Sequence, residues 1–157
     1  VAAELLALAT MAAAAFTAAT LLPGGSEVVF LGLMAAEAAP PAALFVVAAI
    51  ANTAGGMSSW WIGRLMVTGV ESPRGQALLA RFRLDPAMMG RVQRLFGRYG
   101  WMTLLLCWMP VIGDPITLVA GMARYPLLAT ALLTGLARTL RYAVVWAAAA
   151  GLMAWWS

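Results

Sequence analysis

Two apolar stretches of this chain break at a proline, pass through glycine and resume at a carboxylate. That pattern limits the fold more than any other feature. The first break is Pro23-Gly24-Gly25-Ser26-Glu27; the second, 87 residues later, is Pro110-Val111-Ile112-Gly113-Asp114-Pro115. Around them the 157 residues are 64% hydrophobic and only 10% charged. An ordinary soluble domain cannot cover so much apolar surface, so the chain reads as an all-α integral membrane protein with a single domain over 1–157. A carboxylate in hydrocarbon is expensive and marks a site by default. Glu27 and Asp114, at equivalent points, are therefore candidate proton or substrate groups. Pro23, Gly24, Gly25, Ser26, Pro110, Gly113 and Pro115 shape the tips that carry them.

Several chemistries are excluded early. The chain has no histidine, which removes zinc sites and histidine acid–base catalysis, including a rhomboid-type serine protease; no metal and no cofactor are expected. The only cysteine, Cys107, lies in an apolar run and reads as a small core residue. Gly113-Asp114 matches half of the Gly-x-Gly-Asp signature of intramembrane aspartyl proteases, but position 111 is valine and the companion motifs are missing. An enzyme is not expected.

Charge sets the orientation. Arg64, Arg74, Arg81, Arg83, Arg91, Arg94 and Arg98 crowd the middle, Glu71 and Asp85 offset two of them, and the last sixteen residues carry no charge. The positive-inside rule puts this basic middle in the cytoplasm and both ends outside. Contact with anionic headgroups is the ordinary role of such a run; nucleic acid is not an expected partner.

Along the chain, Leu5–Leu22 is apolar and helical in character. No basic region precedes it and no Ala-x-Ala site ends it, so no cleavable signal is expected. Val28–Ala39 follows the first break and, at about 1.5 Å per residue, reaches only about 18 Å, short of a hydrocarbon core of about 30 Å. It reads as one arm of a re-entrant hairpin. Ala42–Met66 is long enough to span. Asp85-Pro86 looks like the cap of an amphipathic helix over Ala87–Tyr99, suited to the cytoplasmic surface. Trp101–Met109 and Ile116–Ala123 flank the second break as a second hairpin, and Leu127–Trp156 is a complete span. The order is hairpin, span, basic linker (about 67–98), hairpin, span, with repeat 1 over about 1–66 and repeat 2 over about 99–157. This is an inverted-topology repeat, the architecture of many secondary transporters.

The last span carries Arg138 and Arg141, each costing about 2.5–3.5 kcal/mol at a helix centre unless partnered or wetted. Helix rise places Arg138 about 16 Å from Leu127, the depth expected for the second tip, so Asp114 is its candidate partner. Arg141 lies one turn further out, where Glu27 arrives from the other side. Thr130, Thr134, Arg138 and Arg141 form one polar stripe; Asn52, Gly56, Ser59 and Gly63 form another on the first span, permitting close helix contact or leaving a groove. Glu27, Asp114, Arg138, Arg141 and Asn52 make up the candidate proton and substrate site. Helix N-termini at the tips and two arginines would attract an anionic group such as phosphate.

Five segments in order, Thr20-Leu-Leu-Pro-Gly-Gly-Ser-Glu27, Ala51-Asn-Thr-Ala-Gly-Gly56, Trp61-Ile-Gly-Arg64, Phe96-Gly-Arg-Tyr-Gly100 and Trp108-Met-Pro-Val-Ile-Gly-Asp-Pro-Ile-Thr-Leu-Val-Ala-Gly121, resemble the DedA family. This is the bacterial branch of the VTT-domain, or SNARE-associated, membrane proteins, and the nearest pattern is a short subfamily with these two tips. The resemblance implies two re-entrant hairpins plus transmembrane helices. It also implies a role in moving lipids between leaflets: recycling of undecaprenyl phosphate and dependence on proton motive force in bacteria, phospholipid scrambling in eukaryotic relatives. The family's essential acidic residue at the first tip maps onto Glu27. Where the family usually has an arginine shortly after the second proline, this chain has Gly113-Asp114, leaving Arg138 and Arg141 as candidates for that charge.

The expected function is a flippase- or scramblase-like transporter of an anionic lipid or lipid-phosphate carrier, coupled to protons through midplane carboxylates. The alternatives are a proton- or ion-coupled transporter of a small solute and a structural membrane protein in which the charges clamp the hairpins. Membrane lipids are the expected partners. A homodimer would bury polar backbone that short hairpins leave uncovered.

Overall fold

Two ten-residue helices, Ser26–Ala35 and Gly113–Met122, follow the two breaks and begin 87 positions apart. The computed structural model describes residues 1–20, 25–66, 73, 86–109 and 113–156, the side chains at 86–89, 114 and 152–156 excepted. Pro23, Gly24, Pro110, the Asp85 cap, nearly all of 67–85 and the Asp114 side chain thus lie outside the described residues. Among the described residues all regular structure is helical: α1 (Ala2–Ala18), α2 (Ser26–Ala35), α3 (Pro41–Met66), α4 (Pro86–Tyr99), a 3-10 segment (Gly100–Trp108), α5 (Gly113–Met122) and α6 (Leu127–Trp156).

The helix ends have local causes. Both α2 and α5 close with a left-handed residue, Glu37 (φ 50°) and Arg124 (φ 61°). The amides of Glu37 and Ala38 return to the carbonyls of Met34 and Leu33 at 3.0 and 3.1 Å; those of Arg124 and Tyr125 return to Gly121 and Ala120 at 3.1 and 3.0 Å. This paired closure satisfies carbonyls that a helix end leaves open. Pro40 and Pro126, which cannot continue a helix, then precede the two long ones. Hydroxyls in the apolar helices satisfy themselves: Thr10 donates to the Leu6 carbonyl at 2.8 Å and Thr17 to that of Ala13 at 2.7 Å.

The long helices are built inside out. On α6, Leu128, Leu132, Leu136, Leu140 and Val144 are exposed at every fourth position, while Thr130, Thr134, Arg138 and Tyr142 are buried. The apolar windows of α3 and α6 are long enough to cross a membrane, yet only 33% and 28% of each is buried. A core helix of a soluble protein would be mostly buried with its apolar face inward; these turn it outward, as an apolar solvent requires.

Two apolar clusters share α3 and α6. One gathers Met11, Ala15, Phe30, Leu44, Ala48 and Tyr142 from α1, α2, α3 and α6. The other joins Trp60, Phe96, Leu104, Ile116, Val119 and Ala137 from α3, α4, the 3-10 segment, α5 and α6. The sequence assigns the amphipathic α4 to the membrane surface. Its arginines Arg91, Arg94 and Arg98 are exposed, but its apolar face is turned onto its own chain: Val92 and Phe96 are buried in the second cluster, and the Phe96 ring lies 5.2 Å from that of Tyr125. Gly100, in the left-handed region at φ 55°, ends α4 and turns the chain into the 3-10 segment.

Backbone meets backbone where α5 crosses α3. A Cβ at Gly63 would overlap the Leu118 carbonyl, and one at Gly121 would overlap that of Trp60. Small residues allow this approach between helices in a membrane. Gly63→Ala forces two backbones apart and is expected to destabilise by about 1–3 kcal/mol. Gly32→Ala, with open space around it, is expected to be neutral or slightly stabilising. Thermal unfolding of both in one detergent checks the contrast; equal midpoints would show that the crossing is looser than described.

Candidate functional site

Asn52 stands on α3 between Ala48 of the first cluster and Trp60 of the second, and Arg138 faces it from α6. The Arg138 Nη1 donates to the Asn52 carbonyl at 3.1 Å and to its Oδ1 at 2.8 Å. The guanidinium lies against α3 at Gly56, where a Cβ would come within 3.0 Å of its Cζ. Glycine at 56 is what gives the cation room. Both Asn52 and Arg138 are almost wholly buried.

One cation orients the whole network. Arginine has donors only, so the Asn52 oxygen must face Arg138 and its amide nitrogen must face the other way. That nitrogen donates to the Ala15 carbonyl and to the Tyr142 hydroxyl, each at 3.2 Å. Having accepted one proton, the Tyr142 hydroxyl gives its own to Ser26 Oγ at 2.9 Å. Ser26 in turn donates to Glu27 Oε2 at 3.3 Å, where the Gly25 amide also points, at 3.4 Å. The donors run in one direction, from Arg138 through Asn52, Tyr142 and Ser26 to Glu27, and link α6, α3 and α2. Such chains polarise one another and strengthen in a low dielectric.

Glu27 occupies the first turn of α2, where the helix dipole favours an anion. The turn that delivers it needs Gly25, whose φ of 154° is rarely open to other residues. Arg141 Nε lies 2.9 Å from Glu27 Oε1, with the side chains 16% and 21% exposed. The N–H does not align with that oxygen, so the contact is one of charge more than of hydrogen bonding. The Arg141 guanidinium also lies 5.6 Å from the centre of the Tyr142 ring, a favourable cation–π distance.

The candidates from the sequence are thus distributed as follows. Glu27, Asn52, Arg138 and Arg141 come together in one layer with Ser26 and Gly25. Gly113 starts α5, and a Cβ on it would meet the Cys107 carbonyl at 2.6 Å; Pro115 is buried in the same helix. The proposed meeting of Asp114 with Arg138 lies outside the described residues, as do Pro23, Gly24 and Pro110. Asn52 and Ser59 are both buried, and Ser59 donates to the Ala19 carbonyl at 3.3 Å. Tyr142 is the central residue that sequence reasoning missed. It lies four residues past Arg138 on the same helix face, and that position was the signal available.

A family model described as the VTT domain matches residues 5–151. The chain is 34% identical over 153 residues to Inner membrane protein YqaA of Escherichia coli (strain K12), covering 98% of each chain, and the figures for YqaA of Shigella flexneri are the same. An uncharacterised protein of Haemophilus influenzae is 29% identical over 137 residues, 82% of this chain and 78% of that one. No solved structure matches.

Proposed function

The chain belongs to the VTT-domain (DedA) family, and from that premise we propose that it moves an anionic lipid or lipid-phosphate carrier between the leaflets of a bacterial inner membrane, coupled to protons. The observation that carries the reading is the buried polar layer. A carboxylate, two arginines and a one-way chain of donors lie between apolar clusters in helices whose outer faces are also apolar. Ionisable groups held at such depth are costly and accompany substrate and proton paths.

The chemistry follows from Glu27. As a carboxylate it ends the donor chain and balances Arg141. On gaining a proton it loses its charge contact with Arg141, and Oε2 no longer serves Ser26 as an anionic acceptor. Arg141 is then available to an anionic headgroup, so proton and lipid compete for one partner. The architecture behind this reading is an inverted repeat of two re-entrant hairpins and two spans, with the basic middle cytoplasmic and both ends outside. Its support is the equal length and 87-residue register of α2 and α5, their common closure, and the long helix that follows each.

A second reading, a transporter of a small solute with a sealed pocket, is favoured by the burial of Asn52 and Ser59, since an opening between the spans at those residues would have suited a lipid path. Leaflet exchange in proteoliposomes separates the two. A short-chain fluorescent lipid phosphate is expected to exchange faster than in empty liposomes, and the rate to change with an imposed pH gradient. Exchange no faster than in empty liposomes would reject the lipid reading.

A further inference from the structure

Tyr142 is fully buried, and its hydroxyl and its ring hold different partners. The hydroxyl donates to Ser26 Oγ at 2.9 Å, and the ring lies 5.7 Å from that of Phe30 in an edge-on contact. Ser26 and Phe30 are four residues apart and share a face of α2. Tyr142 therefore grips α2 at two successive turns, beside the point where Glu27 leaves the first. The Arg141 guanidinium lies 5.6 Å from the centre of the same ring. One side chain thus reaches both halves of the Glu27–Arg141 pair, the carboxylate through Ser26 and the cation through the ring.

The hydroxyl also decides what Ser26 has left to give. A serine hydroxyl has one proton and two lone pairs. Asn52 donates to Tyr142 at 3.2 Å, and Tyr142 spends its own proton on Ser26. Ser26, held through a lone pair, keeps its proton for Glu27 Oε2 at 3.3 Å. Without that hold the Ser26 hydroxyl is free to rotate toward backbone carbonyls. Three helices pack against α2, namely α1, α3 and α6. The one charged residue of α1, Glu4, lines a pocket with Glu37 at the far end of α2, and that of α3, Arg64, lies 5.9 Å from the Trp60 ring. On α6, Arg138 is held at Asn52. Arg141 and Tyr142 are therefore the charged and titratable groups of these helices that face Glu27.

We infer that Tyr142 is the residue that positions the Glu27–Arg141 pair for proton uptake, acting through Ser26 on the carboxylate and through its ring on the cation. The inference rests on the proton-coupled reading of Glu27 and assigns control of that step to a residue on another helix. A donor aimed at a carboxylate favours its charged form. Losing the Tyr142 hydroxyl leaves the Ser26 donor unaimed, so the variant takes up its proton at higher pH. The ring has a separate task, to keep Arg141 beside Glu27. Phenylalanine at 142 removes the first contribution and keeps the second.

The test follows Glu27 directly. Carboxyl bands of the full chain in lipid are recorded against pH by infrared difference spectroscopy, and the Glu27 band is the one missing in Glu27→Gln. In Tyr142→Phe its midpoint is expected to move up by about half to one pH unit, the effect of one hydrogen bond to the charged form. Ser26→Ala should move it at least as far. Adding Tyr142→Phe to Ser26→Ala should move it no further, since both changes cut one link. Phe30→Leu loosens the same helix contact without touching a hydroxyl; it is expected to lower the melting temperature and leave the midpoint in place. No shift in Tyr142→Phe, shifts that add in the double variant, an equal shift in Phe30→Leu, or a Glu27 band insensitive to pH in the wild type would overturn the proposal. Exchange measured on the same proteins keeps the two readings apart. A shifted band in a chain that moves no lipid would sink translocation and leave Tyr142 in its role; gradient-sensitive exchange without a shift in Tyr142→Phe would do the reverse.

Discussion

Glu27→Gln is expected to abolish gradient-sensitive lipid exchange in a protein that still folds. Glutamine keeps the shape of glutamate and an oxygen that accepts from Ser26 and the Gly25 amide. What it loses is the charge facing Arg141 at 2.9 Å and the ability to take and release a proton. Breaking a fully buried pair by removing one partner costs about 3–5 kcal/mol. This pair is 16% and 21% exposed and Arg141 retains the Tyr142 ring, so the loss of stability should be smaller, about 1–2 kcal/mol. The measurement is the exchange rate with and without a pH gradient, beside a thermal melt. Glu27→Asp, which keeps the carboxylate, should recover part of the coupling. Full gradient sensitivity in Glu27→Gln would remove Glu27 from the coupling step.

Asn52→Leu should have the largest effect on stability of any single change in the polar layer. Leucine fills a similar volume but takes away the Oδ1 that accepts from Arg138 at 2.8 Å and the amide that donates to Ala15 and Tyr142. Interhelical hydrogen bonds in membrane proteins average only about 0.6 kcal/mol, because the unfolded helices find other partners in the membrane. Three such bonds would give about 2 kcal/mol on that scale. One of the three serves a buried cation, where the loss rises to about 1.5–3 kcal/mol alone. The charged bond therefore dominates, and a total of about 2–5 kcal/mol is expected. Ser59→Ala, which loses one neutral bond to Ala19, should cost about 0.6 kcal/mol. Thermal unfolding of the two variants in one detergent decides between these scales. If both fall equally, the cation at Arg138 draws little from Asn52.

Reading the elements from sequence works where the cause is local. Pro40, Pro41 and Pro126 mark where the long helices start, because proline cannot continue a helix and suits its first turn. The apolar runs before Arg64 and after Pro126 are long enough to span because rise per residue is a constant. The Glu37 and Arg124 closures were not legible, since neither residue favours the left-handed region and each is held there by two returning amides. The 3-10 winding of Gly100–Trp108 was likewise invisible; an apolar run of nine residues carries no period that separates it from an α-helix.

The sequence by itself determined that the chain is helical, that its helices belong in an apolar solvent, and that carboxylates and arginines lie at depths where they need partners. Those conclusions depend only on composition, spacing and helix geometry. Which side chains join was decided by the tertiary structure. Equal depth along two helices says nothing of how each is rotated about its axis, and rotation is set by packing at Gly55, Gly56 and Gly63, where α3 lies tightly against α1, Arg138 and α5. That packing turns Asn52 toward Arg138, brings Tyr142 beneath α2, and sets Arg141 between Glu27 and the Tyr142 ring.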